Sequence, residues 1–129
     1  MKQTEIKVLM VEPGQHPRVT TLKNDLDALQ EAVSIGAEHR GLIEIIGIAD
    51  GVCILCNEEG KLMGLEGNRR LGTDVLVGVF YVVGENGRGD LVSLPDREIE
   101  RYSKLFWKPE YFTQQDIDRT VYAYFHNGW

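Results

Sequence analysis

The sequence predicts an α+β fold: a mostly antiparallel sheet, one helix after the first strands, and two C-terminal helices. Three observations carry this. Short runs of branched and apolar residues follow one another from Glu5 to Ser93, separated by turn pairs such as Asp50-Gly51 and Asn86-Gly87. Beyond Ser93 the apolar residues change to helical spacing. Strands first and helices last is the order of an α+β chain rather than of a parallel α/β sheet. The chain has 129 residues, with no internal repeat, low-complexity tract or long linker, so residues 1–129 read as one domain.

Glu5 to Val11 reads as the first strand, closed by the turn Glu12-Pro13-Gly14. Pro17 restricts the next strand to Arg18 to Leu22. Asn24 or Asp25 can cap a helix with Leu22, Leu26, Leu29 and Val33 on one face, ended by Gly36. Leu42 to Ile48 and Val52 to Cys56 form a hairpin about Asp50-Gly51, with a type I′ turn. Asn57 to Gly60 is a second turn, after which Lys61 to Leu65 pairs back briefly. Val75 to Val83, the most apolar run, reads as one central strand, and the loop Gly84 to Gly89 leads into Leu91 to Ser93. Ser93 with Asp96 resembles a capping box, with Pro95 in the first turn and Ile99, Tyr102 and Phe106 as the buried stripe. Thr113 with Asp116 repeats the pattern, with Ile117, Val121 and Phe125 as the second stripe.

A formal net charge of -6 opposes general nucleic-acid binding, which uses a basic face. It also falls short of duplex DNA, which over a domain roughly 35 Å across carries about 20 phosphate charges. No apolar run reaches the length of a membrane span, and no leader is expected at the start. Two cysteines do not make a disulfide scaffold, so a reducing cytoplasm is the expected compartment. Every Phe, Tyr and Trp lies at or after Phe80, which reads either as helices plugging an aliphatic sheet with large rings or as an aromatic docking surface.

Reaction motifs are missing from the pattern. Cys53 and Cys56 have Cys-x-x-Cys spacing, but within a strand, where positions three apart face opposite sides. His16, His39 and His126 show no metal-pair spacing, and Ser34, Ser93 and Ser103 lie in no nucleophile elbow. Glu58 and Glu59 read as a solvated turn. Gly84-Glu85-Asn86-Gly87-Arg88-Gly89 resembles a phosphate loop, but strand-like sequence follows it instead of a helix. No catalytic residue, metal or cofactor is expected.

The strongest candidate site is the turn and loop from Asn57 to Arg70. Its glycines allow close approach of a ligand, Asn68 offers an amide, and the Arg69 and Arg70 guanidinium groups suit carboxylate or phosphate. The contact set is Asn57, Glu59, Lys61, Asn68, Arg69 and Arg70. The plainer alternative is a surface loop whose arginines pair with Glu58, Glu59 or Asp74.

Val11-Glu12-Pro13-Gly14, the block Cys56-Asn57-Glu58-Glu59-Gly60-Lys61-Leu62 with Gly64-Leu65 and Asn68-Arg69, and Gly78-Val79-Phe80-Tyr81-Val82-Val83-Gly84 carry a resemblance. The chain resembles domain of unknown function family thirty-eight forty-six, over Ile6 to about Phe112. The resemblance implies a cytoplasmic setting in Gram-positive bacteria, their phages or mobile elements, with an accessory or host-interaction role. It supplies no catalytic residues.

The expected function is therefore a non-enzymatic binding or interaction protein. Its partner would be a protein or a small anionic ligand, with a homodimer as a further option and neither nucleic acid nor membrane as a direct partner. The alternatives are a protein that binds or sequesters a nucleotide-like molecule, and an acidic mimic of DNA.

Overall fold

Three strands run through the middle of the molecule with apolar residues on both of their faces. They are β1 (Glu5–Val11), β4 (Val52–Asn57) and β7 (Phe80–Glu85). The computed structural model that shows this describes residues 3–127, with side chains described through Val121. The side chains of Phe125 and His126 lie outside the described residues.

Two half-exposed strands complete the main sheet, β2 (Arg18–Lys23) and β3 (Ile43–Ala49), in the order β2-β1-β7-β4-β3. The short β8 (Leu91–Val92) adds to the end of β7. Every pairing is antiparallel. A separate hairpin joins β5 (Gly67–Leu71) to β6 (Asp74–Val77). Helix α1 (Leu26–Ala32) follows β2, and α2 (Asp96–Leu105) and α3 (Gln114–Asn127) close the chain. The fold is α+β, with the helices placed in the chain as the sequence predicts.

Alternation along the strands sorts the core into two layers. Ile6, Val8, Met10, Cys53, Leu55, Tyr81 and Val83 pack with Leu29, Ala32 and Val33 of the α1 region. On the other face Leu9, Val11, Ile54, Phe80 and Val82 pack with Tyr102 and Phe106 of the α2 region. The Phe80 and Phe106 rings meet edge to face at 5.1 Å, the arrangement that ring quadrupoles favour. A third, smaller core sets Ile117 of α3 against Leu65, which precedes β5, and against Val75 and Val77 on the hairpin. Each large side chain so buried contributes roughly 1.5–3 kcal/mol.

Several local expectations are corrected. Val75 to Val83 is not one strand. Gly78 takes φ +70°, a left-handed conformation that costs other residues energy, and it breaks the run into β6 and β7. Apolar content cannot reveal that break, because both pieces are buried. Lys61 to Leu65 forms turns instead of pairing back, with Met63 N–H donating to Glu59 O and Leu65 N–H to Gly60 O. The Asp50-Gly51 hairpin forms, but only Gly51 has positive φ, so the turn is not type I′; a bulge at Ile48 adjusts the register. Ser93 does not cap α2. Its hydroxyl accepts from Lys7 N–H at 2.9 Å, and Pro95 stands at the cap. Leu26 is exposed, so the α1 stripe is Leu29, Ala32 and Val33.

Other local readings hold. Asp25 Oδ1 accepts from Ala28 N–H and caps α1, while Asn24 ties Gln3 O to Leu91 O. Thr113 and Asp116 form a reciprocal capping box, Thr113 N–H donating to the carboxylate and Asp116 N–H to the hydroxyl. These bonds hold the Asp116 carboxyl below its ordinary pKa. Among the described residues no helix is long and apolar enough to cross a membrane.

Candidate functional site

The segment from Asn57 to Arg70 starts where β4 ends. Asn57 is buried, and its Oδ1 accepts from Glu59 N–H at 2.8 Å, which fixes the turn. Glu59 is half-buried and engaged in the turn through its backbone. Lys61 Nζ donates to Asp74 and, at 2.8 Å, to the Thr120 hydroxyl, tying the turn to the hairpin and to α3. Gly67 permits a close approach, but by the chain itself. A Cβ there would stand 2.9 Å from Cδ2 of Phe112.

Asn68 sits at a bulge in β5. Gly67 pairs with Val77 and Arg69 with Leu76, leaving Asn68 as the extra residue. A regular strand sends successive side chains to opposite faces. Here Asn68 and Arg69 are both fully buried. Asn68 Nδ2 donates to Val11 O at 2.9 Å and to Gly78 O at 2.7 Å. Arg69 Nε donates to Phe106 O at 2.9 Å, Nη2 to Gln15 O at 2.5 Å, and Nη1 to both Asn68 O and Asn68 Oδ1.

Among the described residues the four acceptors of Arg69 are neutral oxygens. Burial lowers the guanidinium pKa, while nearby Glu110 and Tyr111 raise it. Guanidinium keeps its charge in such settings, because its ordinary pKa is so high. Asn68 and Arg69 are thus committed to internal contacts and do not face an outside anion. Nor does Arg69 pair with Glu58, Glu59 or Asp74.

The bonds of Arg69 nevertheless reach the surface. Gln15 precedes His16, and Phe106 precedes Trp107. The rings of His16 and Trp107 stack at 4.0 Å with 12° between planes, and His16 Nδ1–H donates to Trp107 O at 2.7 Å. Arg70 is exposed and secures the same connection between α2 and α3. Its backbone N–H donates to Glu110 Oε2 at 3.1 Å, and its guanidinium lies 5.4 Å from the Phe112 ring centroid. Residues 106–112 are therefore held at three points by two adjacent arginines. Trp107 is 52% exposed and Tyr111 80% exposed on this connection. An open groove lined by Glu100, Ser103, Lys104 and Trp107 runs along the outer side of α2. The ring-rich run from Phe106 to Phe112, which the sequence allows to be either core or exposed surface, divides between the two: Phe106 is buried, whereas Trp107 and Tyr111 are exposed.

The other motifs resolve structurally. Cys53 and Cys56 lie in opposite core layers, so their sulfurs do not form a redox pair. Burial pushes the Cys53 thiol up to about 11, with Glu85 adding to it. Burial and Glu44 push Cys56 up to about 12. Neither is poised as a thiolate. In the loop from Gly84 to Gly89, the Glu85 carboxylate accepts from Gly87 N–H at 2.7 Å and Gly89 N–H at 2.9 Å. Asn86 Oδ1 takes Arg88 N–H and Asp90 N–H. Amides that could have held a phosphate are bonded to the loop's own side chains. Among the described residues no group of three His, Cys, Asp or Glu side chains is placed to hold a metal ion.

An antiparallel sheet with a helix on each face, and an aromatic connection held by the β5 arginines, makes this a small α+β protein. The family model described as a domain of unknown function, DUF3846, matches residues 6–107, and the chain belongs to that family. No curated protein and no solved structure matches it. The matched stretch contains Arg69, Arg70, His16 and Trp107, and stops before Tyr111 and α3.

Proposed function

We propose that this protein is a non-enzymatic binding module, and that its partner docks on the surface formed by His16, Trp107, Tyr111 and Arg70 over Phe112. The observation that carries this reading is the exposure of Trp107 and Tyr111 on a connection fixed from beneath by Arg69 and Arg70. Trp, Tyr and Arg dominate binding energetics at protein interfaces, and a surface already held in place loses little entropy on docking. Arg70 supplies the cation for an anionic group on the partner protein. This moves the contact surface from the Asn57–Arg70 loop to its neighbour, with Arg70 common to both.

Two free thiols support a reducing, cytoplasmic setting. The family resemblance supports an accessory or host-interaction role in bacteria, phages or mobile elements.

The test is affinity capture with the full chain as bait beside a Trp107→Ala/Tyr111→Ala double variant, after circular dichroism has established that both fold. The expected result is a partner held by the unsubstituted chain and lost by the variant. The same proteins at the same yield on both baits would refute the reading.

A further inference from the structure

The two edges of the main sheet are finished differently. β2 has Arg18 and Lys23 at its ends, paired with Glu12 and Asp25, and Pro17 before it. Such charges and prolines are the usual guards against edge-to-edge pairing. β3 reads Ile-Glu-Ile-Ile-Gly-Ile-Ala and has no lysine, arginine or proline. Among the described residues it pairs only with β4. Ile45 is 60% exposed and the preceding Leu42 54% exposed.

The backbone fixes which groups this edge offers. Glu58 N–H donates to Leu42 O at 2.8 Å, so even-numbered residues from Leu42 to Ile46 bond inward to β4. Ile43, Ile45 and Gly47 therefore turn their N–H and C=O groups outward. The bulge at Ile48 ends that alternation.

We propose that a second copy of this chain pairs on this edge, β3 against β3, antiparallel and two-fold about Ile45. That register exchanges hydrogen bonds between the two Ile45 residues and, on each side, between Ile43 and Gly47. Centring on Ile46 would need Ile43 opposite Ala49, beyond the bulge. Centring on Glu44 would set the two carboxylates face to face, which is destabilising. About Ile45 each Glu44 stands opposite Ile46 of the other copy, and the two Glu44 positions are diagonal neighbours, roughly 7–8 Å apart along the backbone. The register is thus selected by the bulge on one side and by like charge on the other. It covers Ile45 and joins two sheets into one, in the commonest oligomer symmetry.

Sedimentation of the full chain from micromolar to millimolar concentration tests this. The expected result is a rise from the 14.6 kDa monomer to twice that mass, with Ile45→Lys remaining monomeric over the same range. Ile45→Cys supplies the register, since paired Cα atoms about 5.5 Å apart lie within disulfide reach. Mild oxidation should convert it to a cross-linked dimer, with Cys53 and Cys56 protected by burial. A monomer throughout the range would overturn the proposal. So would a dimer that survives Ile45→Lys, or an Ile45→Cys chain that does not cross-link.

Discussion

Two polar, glycine-rich segments look alike in the sequence and end in opposite roles. The segment from Gly84 to Gly89 stays at the surface and satisfies itself, with Glu85 and Asn86 accepting from its own amides. The segment from Asn57 to Arg70 turns inward. A bulge at Asn68 sends two consecutive polar side chains into the core, where they bond carbonyls from β1, from the turns beside β1 and β6, and from the end of α2. The difference teaches that polarity does not set a segment's role. What sets it is whether its hydrogen bonds are met locally or by distant backbone. A segment that bonds locally can be altered cheaply, whereas one that bonds distant segments organises whatever they present.

The largest expected effect follows from removing the distant bonds. Arg69→Ala leaves the oxygens of Phe106, Gln15 and Asn68 without their donor and should cost roughly 3 kcal/mol or more. Urea unfolding measures it, and a loss under about 1 kcal/mol would place Arg69 among ordinary surface arginines. Asn68→Ala should follow at roughly 2 kcal/mol, because buried Val11 O and Gly78 O lose their shared amide.

Alkaline pH probes the core that both segments border. Cys53 and Cys56 titrate at about 11 and about 12 in the fold, against 9.0 when unperturbed. Burial pushes Tyr81 up to about 12 from 10.0. The unfolded chain therefore releases these protons first. Their contribution is fully present below pH 9.0 and falls as pH rises toward 11. Urea midpoints on either side of pH 9.0 should decline on the alkaline side; a flat profile would mean that these groups are not shielded.

The self-satisfied loop should respond least. Glu85→Ala removes the acceptor from two exposed amides and should cost under about 1 kcal/mol, with faster hydrogen exchange confined to Gly87 and Gly89. Exchange spreading into β7 would show that the loop supports more than itself. Arg70→Ala should change stability by no more than about 0.5 kcal/mol and weaken partner capture.

Features legible in the sequence are those whose causes are local. The Thr113–Asp116 capping box, the Asp25 cap, the β1 strand and the hairpin at Asp50-Gly51 each depend on residues a few positions apart. The break at Gly78 was hidden because apolar residues flank it on both sides. The two cysteines were readable because strand alternation alone separates them. Ser93 misled because its hydroxyl serves Lys7, far away in the chain. Asn68 and Arg69 stand out in the sequence, yet the direction of their side chains is not legible there. A bulge shifts the alternation by one residue, and nothing in Gly-Asn-Arg-Arg marks where it falls. The pairing of His16 with Trp107 is hidden in the sequence for a related reason, since the two meet only in the folded chain.

The claim that a buried arginine holds a surface pair in place has a direct measurement: the ring-proton NMR shifts of His16, which the Trp107 indole at 4.0 Å displaces from those of a free imidazole. Arg69→Lys preserves the charge but loses the fork that reaches Gln15 and Phe106 together. The account expects the His16 resonances to move toward free-imidazole positions in a folded Arg69→Lys chain and to stay in place in Arg70→Ala. Resonances unmoved by Arg69→Lys would contradict it.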